Sequence, residues 1–316
     1  MTDPSDGAKS ALRDICVLAP WPIVTVTIER GMDGGDEIYF HAGGQGFWVA
    51  RMIAHLGSRP ILCGPLGGES GIVVRALIEA EGIELRPVES ERWNGGYVHD
   101  RREGDRKTLA TMPPAALNRH EADDLYDTVL TAGLHAGVVV MTGVVEEDIL
   151  ASDFYSRLAH DLTRNGVAVV ADLSKQALTG LDGGVAFLKV SHSELIGAGF
   201  CTSEDERSVT EGLMALKRST GATNAIVSRA DQPAFALLQD RLVKVVPPRF
   251  QELDHRGAGD SMTAAIAVAQ AHGLPPDETL RMAAAAGALN VTRHGLGTGK
   301  LEHIREIASH VSVVDM

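Results

Sequence analysis

Asp254-His255-Arg256-Gly257-Ala258-Gly259-Asp260-Ser261 decides how this chain is read. It leads straight into an alanine-rich segment, Gly259 to His272, whose composition predicts a helix. Glycines just ahead of a helix let backbone N–H groups converge on one point. The helix dipole adds partial positive charge there, and the result is an anion hole. Asp260 falls in the first helical turn beside that hole. A carboxylate so placed can take the proton of an attacking hydroxyl while the hole receives a phosphoryl group. The plainer alternative is a glycine turn whose aspartate merely caps the helix.

A second glycine-opened helix stands far upstream, at Gly43-Gly44-Gln45-Gly46-Phe47-Trp48-Val49-Ala50-Arg51. Glycine there lets a small molecule approach the backbone closely. The alternative is an ordinary helix start with Phe47 and Trp48 in the core. Between and beyond these segments, apolar strands alternate with helices. Gly137 to Thr142, Val167 to Ala171, Phe187 to Val190 and Ala225 to Ser228 read as buried strands, and Phe154 to Arg164 and Val209 to Thr220 as helices. That alternation argues an α/β fold with a mostly parallel sheet covered on both faces. Arg92 to Thr111 breaks the rhythm with small and polar residues and no helical face, so it reads as a β-excursion beside the main sheet.

Composition narrows the function. The 316 residues suffice for about two domains or one large α/β domain. A net charge of −13 without a basic run disfavours nucleic acid and anionic membranes as partners. Cys16, Cys63 and Cys201 form no CxxC pair and no disulfide framework, which fits a reducing, cytoplasmic location. No apolar run is long enough to span a bilayer. Residues 1–13 read as a flexible polar tail, and residues 14–316 as the folded domain. Standard nucleotide motifs fail. In Gly295-Leu296-Gly297-Thr298-Gly299-Lys300-Leu301 the first glycine is out of register, and Leu301 stands where a Walker A loop needs Ser or Thr. No GxGxxG follows the first strand, and no HExxH, GxSxG or zinc spacing is present.

Taken in order, the segments resemble the PfkB, ribokinase-like carbohydrate kinases, and most of all their 1-phosphofructokinase and tagatose-6-phosphate kinase branch. The likeness runs from about residue 21 to about residue 300. Gly43 to Arg51 resembles the family's GGKGxNVAR, and Asp172-Leu173-Ser174-Lys175-Gln176-Ala177-Leu178 its DxSGxAL. Lys189-Val190-Ser191-His192-Ser193-Glu194-Leu195 is similar to KPNxxEL, Asp254 to Asp260 to DTxGAGD, and Val291 to Gly295 to VTRxG. The resemblance implies a three-layer αβα, doubly wound, mostly parallel sheet with a reduced β-lid at about 20–42 and 92–112. It implies ATP and Mg²⁺ as cofactors and leaves a monovalent cation at the Val291 to Gly299 loop open. Lid sheets form the dimer interface in this family, and only nine residues separate Asp33 from Gly43, so the shortened lid leaves a homodimer open as well. It also implies residue roles. Asp260 would be the general base, and Gly257, Ala258 and Gly259 the anion hole. Glu194 would organise magnesium. Ser191, Ser228 and Asn290 would lie near the nucleotide. Asp33, Gly43, Gly44, Gln45 and Trp48 would face the sugar.

The departures bear on the acceptor. Gln45 replaces the family lysine, Trp48 the asparagine, and Gly95 an arginine that holds the substrate phosphate. Without those cations the expected acceptor carries no phosphate. Arg101, Arg102, Arg106 and Lys107 on the same excursion would have to compensate, and are expected to be solvated. Trp48 suits a stacked sugar face or a nucleoside base. Three readings follow: an ATP- and Mg²⁺-dependent kinase of a sugar hydroxyl, a nucleoside kinase of the same fold, and a non-catalytic sugar- or nucleotide-binding homologue.

Overall fold

The structure, a computed structural model, describes residues 12–104, 106–143, 149–293 and 295–316. All but the last two residues of the expected tail therefore lie outside the described residues, as does His294 of the VTRxG element. The chain begins with β1 (Asp14–Leu18), β2 (Ile23–Arg30), β3 (Asp36–Gly43), α1 (Gln45–His55), β4 (Arg59–Gly67), α2 (Gly68–Ala80) and β5 (Glu84–Ser90). There follow β6 (Gly96–Asp100), β7 (Lys107–Met112), α3 (Arg119–Ala136), β8 (Val138–Thr142), α4 (Phe154–Arg164), β9 (Ala168–Asp172), α5 (Lys175–Thr179) and β10 (Phe187–Ser191). Next come α6 (His192–Gly197), α7 (Glu206–Thr220), β11 (Asn224–Arg229), β12 (Gln232–Leu238) and β13 (Arg241–Val246). The chain closes with α8 (Ala258–Ala271), α9 (Pro276–Asn290), α10 (Leu301–Ser309) and β14 (Ser312–Asp315).

The main sheet has the strand order β14-β13-β12-β11-β10-β9-β8-β1-β4-β5, parallel from β11 to β5 and antiparallel from β11 to β14. Its central strands are apolar on both sides because each side is covered. Ile15 and Val17 of β1 join the core formed with α1, α8 and α9, while Cys16 and Leu18 join the opposite core with α3, α4 and α7. Val140 and Val139 of β8 divide in the same way. This is the α/β architecture that the alternating pattern implies. α8 is buried nearly all round, between the sheet, α1 and α9, and its run of alanines permits that close approach. Cys16, Cys63 and Cys201 are free thiols, all buried.

Chain order reverses between β1 and β8, since β1 leads to β4 on one side and β8 is reached only later on the other. Ligands of doubly wound sheets gather at the carboxyl ends of the strands beside such a switch. Over that end lies a four-stranded sheet, β3-β2-β6-β7, in which β2 runs parallel to β6 and the other pairs are antiparallel. Asn94 anchors its entry. The buried amide donates to the carbonyls of Pro22 (2.7 Å) and Pro65 (3.0 Å) and accepts from Gly67 N–H (2.9 Å).

Candidate active site

Gly257 caps α8 with φ 71°, a left-handed conformation that glycine alone adopts without strain. The helix then starts so that Ser261 N–H is the first to reach a backbone oxygen in regular fashion, that of Gly257 at 2.9 Å. Among the described residues the N–H groups of Gly259 and Asp260 have no backbone acceptor, so they can meet an anion. Asn290 braces the turn from behind. Its amide donates to the carbonyl of Arg256 (2.6 Å) and its oxygen accepts from Ser261 Oγ (3.2 Å), with the side chain wholly buried.

Asp260 shares its surroundings with Asp172, Lys189 and Glu194. Lys189 donates to both oxygens of Asp172 at 3.1 Å, and Thr263 Oγ1 donates to Asp172 at 2.6 Å. A β-carbon on Gly259 would stand 2.7 Å from Lys189 Nζ, so only glycine lets the helix start lie against this ammonium. Burial, then the negative charge of Asp172, pushes the Asp260 carboxyl up to about 7, with Lys189 opposing and Glu194 adding to the rise. A carboxylate titrating near neutrality is suited to accept a proton in turnover.

Asp260 opens into a cavity of about 570 Å³. One wall is the inner face of the small sheet, whose alternate β2 residues Ile23, Thr25, Thr27 and Glu29 point inward. Gly44, at the N-cap of α1, and Trp48 within it form another. Arg101, Arg106 and Arg256 bring three guanidinium groups to the same space around the carboxylate of Asp254; Glu29 and Asp260 also line the cavity, as does Arg51, which is paired with Glu81. Arg101 and Arg256 each lie 3.7 Å from Asp254 Oδ2.

The cavity thus brings together Gly44, Trp48, Gly257 and Asp260 of the expected site residues, with Ala258 and Gly259 continuing the helix start. The others stand elsewhere. Gln45 is turned away, its Oε1 accepting from Gly143 N–H at 3.0 Å. Gly43 is buried against Thr25 of β2. Asp33 is exposed in the β2–β3 turn and accepts from Gly35 N–H at 2.8 Å, away from the cavity lining. Ser191 and Ser228 are register partners at the ends of β10 and β11. Ser191 caps α6 in a reciprocal box with Glu194, and Ser228 Oγ donates weakly to Val190 O at 3.4 Å. Asn290 is spent on the turn itself. The expectation of solvated flap cations is corrected for two of the four: Arg101 and Arg106 line the cavity, while Arg102 pairs with Asp100 and Asp36 and Lys107 is exposed. Arg256, Tyr39, His41 and Tyr97 were not anticipated as cavity residues. The period-two alternation of β2 was the available signal for its inward residues, and nothing in spacing marked Tyr39, His41 or Arg256.

Magnesium can be tested against the donors present. Among the described residues no group of three His, Cys, Asp or Glu side chains could hold a metal ion. Asp172 is fully engaged, and Glu194 Oε2 accepts from Ser191 N–H at 2.7 Å, leaving Oε1 free of a protein hydrogen bond among the described residues. That set fits an ion carried mostly by phosphate oxygens and water, the usual manner of Mg²⁺. It does not fit an all-protein cage. None of the described helices is long and apolar enough to cross a membrane.

Known proteins share this fold. The pfkB family carbohydrate kinase model matches residues 24–304. The ATP-dependent 6-phosphofructokinase isozyme 2 of Escherichia coli is 27% identical over 280 residues, covering 86% of this chain and 89% of that protein. The tagatose-6-phosphate kinase of Staphylococcus epidermidis is 24% identical over 287 residues, covering 87% of this chain and 89% of the relative. The crystal structure of E. coli phosphofructokinase-2 in complex with potassium superposes with a TM-score of 0.84 at 24% identity, over 95% of this chain and 99% of that one.

Proposed function

The chain belongs to the pfkB family of carbohydrate kinases, and from that membership we propose that it transfers the γ-phosphoryl group of ATP to a hydroxyl of a sugar phosphate. The observation that carries the reading is Asp260. Its carboxyl, pushed up to about 7, stands at a glycine-opened helix N-terminus and faces a cavity walled by arginines. The relatives named for phosphorylating fructose 6-phosphate and tagatose 6-phosphate support the substrate class.

In this reading the acceptor hydroxyl lies against Asp260, which takes its proton as the oxygen attacks phosphorus in line. The phosphoryl oxygens lie against the free N–H groups at the start of α8, so charge developing in transfer meets dipoles already in place. Ser191 and Ser228 face the nucleotide side at the strand ends. Magnesium, when bound with the nucleotide, neutralises phosphate charge, and Glu194 is the carboxylate that would hold it through water. Lys189 keeps its proton, since Asp172, Glu194 and Asp260 together outweigh the effect of its burial. A monovalent cation at residues 291–299 belongs to the same proposal, motivated by the potassium named with the solved relative. Exchange of potassium for sodium in the assay tests it.

The same proposal includes a homodimer through the outer face of the small sheet, supported by the exposed Ile38 (59%) and Phe40 (56%). Phe40→Asp would then yield monomers in light scattering.

The deciding assay gives the full chain Mg-ATP with fructose 6-phosphate, fructose 1-phosphate, tagatose 6-phosphate, the free sugars and nucleosides. Transfer to a sugar phosphate is the expected result. Transfer to nucleosides alone would move the assignment to a nucleoside kinase, which Trp48 in the cavity wall favours. Sugar binding without transfer would leave a non-catalytic homologue.

A further inference from the structure

The two positions that could supply cations for an acceptor phosphate by analogy with the motif are closed in this chain. Gln45 is neutral and its oxygen is bound to Gly143. At Gly95 even a β-carbon would meet Met112 O at 2.6 Å and the Pro114 nitrogen at 3.0 Å, so no longer side chain fits there. Yet three guanidinium groups reach the cavity from other places. Arg101 and Arg106 come from the turn between β6 and β7, and Arg256 comes from the loop that leads to Asp260. They share one carboxylate, Asp254, at 3.7 Å from Arg101 and from Arg256. No carboxylate among the described residues forms an ion pair with Arg106.

We propose that Arg101, Arg106 and Arg256 together form the grip for the phosphate of the acceptor, and that Arg256 ties that phosphate to the catalytic loop. The proposal rests on the kinase reading above and deepens it. Three guanidinium groups gathered around one carboxylate, at the wall of a cavity that also holds Glu29 and Asp260, call for an anion. A phosphate monoester has the charge and the oxygens for several guanidinium forks at once. Asp254 keeps the cluster assembled without neutralising it. Its Oδ1 also accepts the Arg256 N–H at 3.1 Å, which fixes the loop independently of the arginine side chain.

Two neighbouring groups record the uncompensated charge. Burial, then Arg256 and Arg101, lowers the Arg106 guanidinium from its usual value. Burial, then Arg106, Arg256 and Arg101, lowers His99 to about 4, so it is neutral at physiological pH. The His99 Nε2 is buried and has no hydrogen-bond partner among the described residues, while Nδ1 lies 3.2 Å from the Thr108 hydroxyl. If Nδ1 accepts that hydroxyl, the proton sits on Nε2 and remains unspent.

Because Arg256 sits four residues before Asp260, a phosphate held there orients the acceptor as well as binding it. Removing it should therefore lower kcat as well as raise KM. The test compares Arg106→Gln and Arg256→Gln with the unaltered chain, on the best sugar phosphate of the panel and on its free sugar. Each variant should lose roughly 10–100-fold in kcat/KM for the sugar phosphate, the range of a charged hydrogen bond. The free sugar should change by less than about 3-fold, and the KM for ATP should hold. Arg256→Lys should restore only part of the loss, since it keeps charge without the fork. Unchanged preference for the phosphorylated acceptor overturns the proposal, as does a rise confined to the KM for ATP. If the unaltered chain phosphorylates nothing, the kinase reading fails alone. Calorimetry with fructose 6-phosphate and fructose then decides the grip, with equal binding by chain and variants overturning it. Unfolding curves establish that all three variants fold.

Discussion

Lys189 donates to both carboxylate oxygens of Asp172 at 3.1 Å, with 6% and 1% of the two side chains exposed. The pair lies directly behind the start of α8. Its carboxylate raises the Asp260 carboxyl and its ammonium lowers it, so the pair tunes the base as well as holding the sheet to the helix.

Replacing Asp172 by Asn removes the carboxylate and leaves the ammonium. The acidic limb of kcat/KM, expected near pH 7 from Asp260, should move to lower pH by about one unit. The variant should also lose roughly 3–5 kcal/mol of stability, the cost of breaking a buried pair. A pH–rate profile and urea unfolding read the two effects separately. A limb that stays in place or rises would contradict the electrostatic account.

Asp260→Asn should reduce turnover at least about 100-fold while ATP binding persists. The same change should stabilise the fold at pH 8. The folded carboxyl titrates near 7 and the unfolded one near 3.9. Ionisation therefore disfavours the folded state above pH 7, and that penalty shrinks as pH falls from 7 toward 4. Each kcal/mol recovered should raise Tm by roughly 2 °C. Melting curves at pH 8 and pH 5 check the sign, since the gap between variant and parent should narrow in acid.

Gly259→Ala places a methyl group 2.7 Å from Lys189 Nζ. The lysine is held by Asp172 and has little freedom to retreat. Loss of about 1–3 kcal/mol is expected, as for overpacking elsewhere, together with a large fall in kcat. A variant of full activity and stability would show that the ion pair yields more easily than its burial suggests.

Asn94→Ala removes three hydrogen bonds at the entry to the small sheet, to Pro22, Pro65 and Gly67. Two carbonyls and one N–H are left without this partner, at a cost of about 1–3 kcal/mol. Hydrogen exchange should quicken in β2 and β6 ahead of β8 and β9. Uniform acceleration across the main sheet would argue against a local anchor.

The sequence revealed the parts whose chemistry is local. β8, β9 and β10 carry apolar runs because both faces are covered, with the polar residues Thr142, Asp172 and Lys189 toward their carboxyl ends, and a run such as Val138 to Met141 has no other reading. The glycine turn before α8 was legible because its geometry depends on adjacent residues. β3 was not read as a strand. Its residues 36–41 are exposed, so no buried face imposes alternation on Asp-Glu-Ile-Tyr-Phe-His. β5 and β14 were missed for a similar reason, as edge strands of mixed polarity. The loss of cations at 45 and 95 was visible, but their replacement was not. Arg101 and Arg256 meet at Asp254 across more than 150 positions of sequence, and no spacing rule links residues that only the tertiary fold brings together.

The turn joining β6 to β7 contributes two arginines to the cavity, yet neither belongs to either hydrophobic core, and β7 is exposed along its whole length. What the protein selects and what keeps it folded are therefore written in different parts of the gene. A descendant could exchange this one hairpin and test a new acceptor while inheriting the ten-stranded sheet and its phosphoryl-transfer loop intact.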